Sequence, residues 1–104
     1  MNITYSNDNT TLYRGDDTDA FGGNIIRVNI KNNTTYKITK CVWSCGTVKK
    51  TYDNPIFPLI INLTSDETSK LLSQNTCYLA VYDEYGRKKT CKGKLTFDSN
   101  SKKV

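Results

Sequence analysis

The sequence predicts an all-β sandwich of six to seven short strands, with one brief helix before the final hairpin. Three observations carry that expectation. Apolar and polar residues alternate over several segments, most clearly where Ile26, Val28 and Ile30 are interleaved with Arg27, Asn29 and Lys31. Stretches rich in Gly, Asn and Asp separate those segments at the spacing of turns. A single capping-box pattern, Thr64-Ser65-Asp66-Glu67, opens a helical turn that reads through Leu71 and Leu72.

Residues 1–13 are polar with a few β-formers, and Leu12 and Tyr13 read as a short edge strand. Residues 14–24 are rich in Gly and Asp and read as a loop. The strand around Ile26 to Ile30 follows, then a turn at Asn32-Asn33-Thr34-Thr35. Residues 38–48 form one long β-prone stretch, with Cys41, Trp43 and Cys45 on one face and Val42 and Ser44 on the other. Gly46 is the natural place for a bend or bulge. Tyr52 to Pro55 reads as a connection.

Phe57, Leu59, Ile61 and Leu63 share a face, and Pro58 argues for a strand edge or start. After the helical turn, Asn75-Thr76 reads as a break. Residues 77–82 alternate as a half-buried strand, Asp83-Glu84-Tyr85-Gly86 forms a turn suited to positive φ at Gly86, and residues 90–97 run back. Cys91, Gly93, Leu95 and Phe97 share one face of that last strand. The whole chain, residues 1–104, reads as one domain with its core over about residues 10–98 and a polar tail at 99–104.

The order of these features resembles the small β-sandwich domain at the N-terminus of upper baseplate proteins of tailed phages, and of related phage virion proteins. The residues that carry the resemblance are Arg14-Gly15-Asp16-Asp17, then Asp66-Glu67-Thr68-Ser69-Lys70-Leu71-Leu72. They continue through Tyr78-Leu79-Ala80-Val81-Tyr82-Asp83, Gly86-Arg87 and Thr90-Cys91-Lys92-Gly93-Lys94-Leu95, so that it covers roughly residues 12–97. It implies an immunoglobulin-like topology and a structural protein of the virion, acting through contacts with other virion proteins and as a homo-oligomer in the assembled particle. Two features depart from the family: its members commonly continue into a long second region, and the four cysteines are foreign to its pattern. A single copy of the domain would suit a capsid decoration, a fibre cap or a tail adaptor equally well.

Composition narrows the chemistry. The chain has no histidine, so the common His-dependent nucleophile pairs are impossible. Glu67 is committed to a cap and Glu84 to a turn, and neither pairs with the other as an acid and a base. No catalytic residue and no cofactor is expected, and the chain is not expected to be an enzyme. No run of about 18 apolar residues occurs, so no membrane helix is expected. The first residues lack the charged and apolar regions of a signal peptide, so secretion by that route is not expected, and the phage resemblance implies synthesis in a host bacterial cytoplasm and a place in the virion. The net charge is +5, but the lysines look scattered along the sequence, and nucleic-acid binding ranks below ordinary solvated surface.

The remaining candidates are local. Cys41, Cys45, Cys77 and Cys91 read best as buried thiols beside Trp43 and Leu79. Their alternatives are a Cys77–Cys91 disulfide, because these residues flank a hairpin, and a four-cysteine zinc site. The zinc reading is weakened because strand positions four apart lie about 13 Å from each other. Arg14-Gly15-Asp16 reads as a turn rather than an adhesion tripeptide, and Asp16, Asp17 and Asp19 match a calcium loop only loosely. Tyr78 and Tyr82 share the face opposite Leu79 and Val81. That face is either a protein interface or an inner face closed by a second sheet.

Overall fold

The computed structural model describes residues 3–9, 12–15, 17–18, 25–32 and 36–98. The expected turn at 32–35, most of the 14–24 loop, Asp16, Asp19 and the 99–104 tail fall partly or wholly outside them. The described chain is almost entirely β. Its elements are β1 (Ile3–Asn9), β2 (Leu12–Tyr13), β3 (Ile26–Asn32), β4 (Ile38–Cys45), β5 (Val48–Asp53), β6 (Leu59–Ile60), α1 (Ser65–Ser69), β7 (Gln74–Asp83) and β8 (Lys88–Asp98).

Two sheets form. The smaller has the order β1-β3-β6, and the larger β2-β8-β7-β4-β5. All pairings are antiparallel except that of β2 with β8. The alternation read from the sequence decides what each sheet buries. Ile26 and Val28 come from the smaller sheet. Cys41, Trp43 and Cys45 of β4, Leu79 and Val81 of β7, and Leu95 and Phe97 of β8 come from the larger one. Leu12, Ile61, Leu63 and Leu71 join the same core, so the edge strand, the segment after β6 and the end of the helical turn are all anchored by one buried aliphatic residue or more.

Several expectations are corrected. The described residues hold eight strands rather than six or seven, and β1 precedes the expected start of the core: Ile3 to Asn9 pair residue for residue with Asn32 to Ile26. The long stretch 38–48 is two strands. A two-residue turn at Gly46-Thr47 reverses it, and Gly46 has φ +59, the left-handed value a hairpin of this length demands at its first central position. Tyr52, expected in a connection, pairs with Cys41 inside β5. Of the stretch from Phe57 to Leu63, only Leu59 and Ile60 are strand, directly after Pro58. Asn75 and Thr76 do not break the chain. They lie inside β7, where Asn75 also accepts from the Leu72 N–H (3.0 Å) and donates to the Leu72 carbonyl (2.7 Å).

The capping box is present as expected. The Glu67 N–H donates to Thr64 Oγ1 (3.2 Å), and Glu67 Oε1 accepts from the Thr64 N–H (3.0 Å). The helix stops at Ser69, short of Leu71 and Leu72. Five residues are too few to stand on helix propensity, and outside contacts hold them. The Ser65 N–H donates to Asp17 Oδ1 (2.6 Å), the Gly15 N–H donates to Thr68 Oγ1 (3.0 Å), and Arg14 donates to the Ser69 carbonyl (3.2 Å).

Candidate interaction surface

Each strand of the larger sheet presents alternate side chains outward, so the register decides which residues meet there. Tyr82 lies between Lys40 of β4 and Lys88 of β8, and Tyr78 lies between Ser44 and Lys92. Lys94 follows Lys92 on the same face of β8, and Lys49 lies opposite Ser44 on β5. The outer face thus gathers five lysines against two aspartates, Asp53 and Asp98. The sequence reading missed this. Lysines that look scattered along the chain converge because three strands bring them together, and register is invisible to a linear scan.

Tyr78 and Tyr82, read from the sequence as either an interface or an inner face closed by a second sheet, lie on this outer face. Tyr78 is 44% exposed, and Lys88, Thr90, Lys92, Lys94 and Thr96 along β8 are exposed. Tyr82 is half-buried by its neighbours: the Lys40 ammonium lies 4.5 Å from its ring centroid and that of Lys88 lies 5.9 Å away. The ring holds two cations in place, and their charge remains available to an anionic partner.

At the end of this sheet the β7–β8 turn, whose Asp83 and Gly86-Arg87 are among the residues that carry the resemblance, builds a second feature. Asp83 is buried, and its carboxylate accepts from the Tyr85 N–H (2.8 Å), the Arg87 N–H (3.0 Å) and Arg87 Nε (2.8 Å). Burial pushes the Asp83 carboxyl up, but the backbone donors of Arg87 and Tyr85 and the guanidinium outweigh it and hold it below the ordinary value. The Arg87 guanidinium lies 3.8 Å over the Tyr36 ring, and Tyr36 meets Tyr85 edge-on at 5.3 Å. Together Tyr36, Tyr85 and Arg87 line a shallow, open depression of about 390 Å³. The guanidinium is already engaged by Asp83 and Tyr36, so the cluster reads as a turn lock. Asp83 followed by Gly86-Arg87 marks the turn in the sequence, whereas Tyr36 joins it from a distant segment that no local pattern links to it.

The four cysteines are all free and buried. They do not converge: among the described residues no three or more His, Cys, Asp or Glu side chains gather as a metal site. Cys41 lies opposite Val81, and Cys91 opposite Leu79, so the four-cysteine zinc arrangement is not formed. The Cys77–Cys91 disulfide is likewise corrected. Cys77 faces Gly93, leaving Cys91 on the diagonal, where strand geometry sets Cα atoms about 7–8 Å apart, beyond the usual reach of a disulfide. The neighbour of Cys77 is Cys45 on the other side. Burial pushes the Cys41 thiol up to about 11. The Cys77 thiol hydrogen-bonds to Cys45, which lowers Cys45 and raises Cys77. Asp17, one of the three acidic residues of the loose calcium match, is occupied by the N–H of Ser65 at the start of α1.

No family model matches this chain, and no curated protein or solved structure matches it either. Among the described residues, no helix is long and apolar enough to cross a membrane.

Proposed function

We propose that this chain is a non-enzymatic, immunoglobulin-like structural component of a tailed-phage particle, working through protein–protein assembly. The observation that carries the reading is the outer face of the five-stranded sheet, where Tyr78 and Tyr82 sit among lysines with the exposed outward side chains of β8 alongside. The contacts between the resembling segments support it as well. Arg14 and Gly15 bind Ser69 and Thr68 across more than fifty residues of chain, so motifs that are separate in sequence form one latch. Two packed sheets with a buried tryptophan on β4 support the sandwich topology.

The charge of the face selects its partner. A second copy docked through the same face would set lysine against lysine, which costs rather than stabilises. The face therefore suits a neighbouring virion protein with an acidic surface, and self-association would use other surfaces such as strand edges. The test is incorporation. Particles purified on a density gradient from the producing cells should carry the chain at a fixed copy number. The Tyr78→Ala/Lys88→Glu/Lys92→Glu variant should fold with stability within about 1.5 kcal/mol of the parent, about 0.5 kcal/mol for each substitution, yet stay out of the particle. A chain found only in the soluble fraction refutes the virion reading. Full incorporation of the variant refutes the face.

The gathered lysines also favour a second reading, an intracellular accessory module that binds nucleic acid or an acidic host protein. Base stacking is poorly served here, because the ammonium of Lys40 covers the ring of Tyr82. Titration of a labelled oligothymidylate at two salt concentrations separates this reading: micromolar binding with a steep salt slope would favour it over the particle.

A further inference from the structure

We propose that Cys45 and Cys77 are a redox-modification site, a dithiol that closes to a cross-strand disulfide joining β4 to β7. The two residues lie directly opposite in the register. The backbone says which kind of pair they form. Cys45 closes the two-residue turn with Val48, so its N–H and carbonyl point toward β5. Toward β7 it is left in a non-hydrogen-bonded pair, the kind with Cα atoms about 4.5 Å apart and side chains closest. That separation lies within disulfide range. Both side chains point into the core on the same face, and their sulfurs are in hydrogen-bond contact. No other pair of cysteines shares a register position: Cys41 faces Tyr52 and Val81, and Cys91 faces Leu79.

The step balances with a peroxide as the two-electron oxidant. Cys45, the more acidic partner because Cys77 donates to it, loses its proton and attacks one peroxide oxygen as the thiolate: the S–O bond forms, the O–O bond breaks, and the leaving hydroxide takes up that proton as the first water, leaving a sulfenic acid. The Cys77 sulfur then attacks the Cys45 sulfur. The S–S bond forms, the S–O bond breaks, and the Cys77 proton leaves with the hydroxide as a second water. Two thiols are oxidised and one peroxide is reduced. Cys45 and Cys77 are 1% and 0% exposed, so the reaction needs the exposed Gly46-Thr47 tip to open first. It should therefore be slow in the native protein. This inference is independent of the particle reading. It holds wherever the chain leaves a reducing compartment.

Hydrogen peroxide applied to the folded, reduced protein tests it, with intact mass and non-reducing peptide mapping as readouts. The expected product is about 2 mass units lighter, carries the Cys45–Cys77 linkage, and retains two thiols that alkylate in denaturant, Cys41 and Cys91. Cys41→Ser and Cys91→Ser should keep the linkage, and Cys45→Ser should lose it. The wild-type map decides even if a variant fails to fold. Linkage of any other pair, or oxygen added to single thiols with no linkage, overturns the proposal.

Discussion

Thr18 ties the segment before β3 to the segment after β6, and its removal gives a sharp test of the fold. Its hydroxyl donates to the Ile61 carbonyl (2.9 Å) and accepts from the Leu63 N–H (2.8 Å), and its own N–H donates to the Leu63 carbonyl (2.8 Å). The residue is 2% exposed. Thr18→Val keeps the shape and the backbone bond but leaves one buried donor and one buried acceptor without the hydroxyl. An orphaned buried group costs about 1–3 kcal/mol, and a carbonyl tolerates the loss better than an N–H, so the expected total is about 2–3 kcal/mol. Thr18→Ser keeps both bonds and loses one methyl, about 1 kcal/mol. For a domain of this size each kcal/mol moves Tm by about 4–8 °C. The valine variant should melt roughly 10–20 °C below the parent and the serine variant about 5 °C below. Urea unfolding followed by the fluorescence of Trp43, the one tryptophan and fully buried, gives the same ranking at constant m. A valine variant as stable as the serine variant, or more so, would refute the assignment of this hydroxyl as the bridge.

Acid should weaken the protein through two carboxylates. Asp83 is held low as described above, and Glu67 by the Thr64 N–H first and then by Lys50. A depressed folded pKa stabilises above the unfolded value, about 4, and that stability is lost as pH falls through the folded value. The urea midpoint should thus be flat near neutrality and fall below about pH 4, with Asp83→Asn showing a shallower fall. Gly46→Ala forces a left-handed φ on a residue whose Cβ would lie 3.2 Å from Leu71, and should cost about 2 kcal/mol by urea unfolding. Gly86→Ala, with φ +79 but open space around it, should cost less, about 1 kcal/mol. Trp43 Nε1 is buried and has no hydrogen-bond partner. Trp43→Phe removes that orphan along with some volume, so by calorimetry it should cost about 1–2 kcal/mol, well under the 3–5 kcal/mol expected of Trp43→Ala.

Much of the fold was legible because period and capping are local. The inward set on β4, the alternation of β7 and β8 and the Thr64–Glu67 box each follow from residues within a few positions of one another. What was lost depended on partners distant in sequence. Ile3 to Asn9 are too polar to announce a strand, and they form one because β3 offers an edge to pair with. Gly46 marked a bend or bulge, but β-prone residues on both sides hid that the chain reverses there completely, which the left-handed φ of Gly46 and the pairing of Cys45 with Val48 expose. The pairing of cysteines is a question of register, and the hairpin that suggested Cys77 with Cys91 is offset so that Gly93 takes the opposing place.

On the candidate surface Tyr78 and Tyr82 stood out in the sequence, but the lysines around them fail to be legible for a different reason. The motifs that stand out in the sequence are the ones that fold it. Arg14, Gly15 and Asp17 are spent on α1, Glu67 on its cap and on Lys50, and Asp83 and Arg87 on each other. A group already bonded inside the domain has little left to offer a partner, and of these residues Arg14 alone keeps a buried nitrogen, Nε, without a hydrogen bond. The outer face has the opposite character. It is a plain alternation of Lys, Thr and Tyr, any segment of which would pass for solvated strand, and its content lies in how β4, β5, β7 and β8 line up. A one-residue slip of β8 would turn Lys88, Lys92 and Lys94 inward and Cys91, Leu95 and Phe97 outward. Burial of Leu95 and Phe97 forbids that slip, so the core fixes the lysine face without any lysine taking part in the core. Selection for folding is therefore enough to keep the strand in register, and it leaves the identities of the outward residues free to be set by whatever binds there.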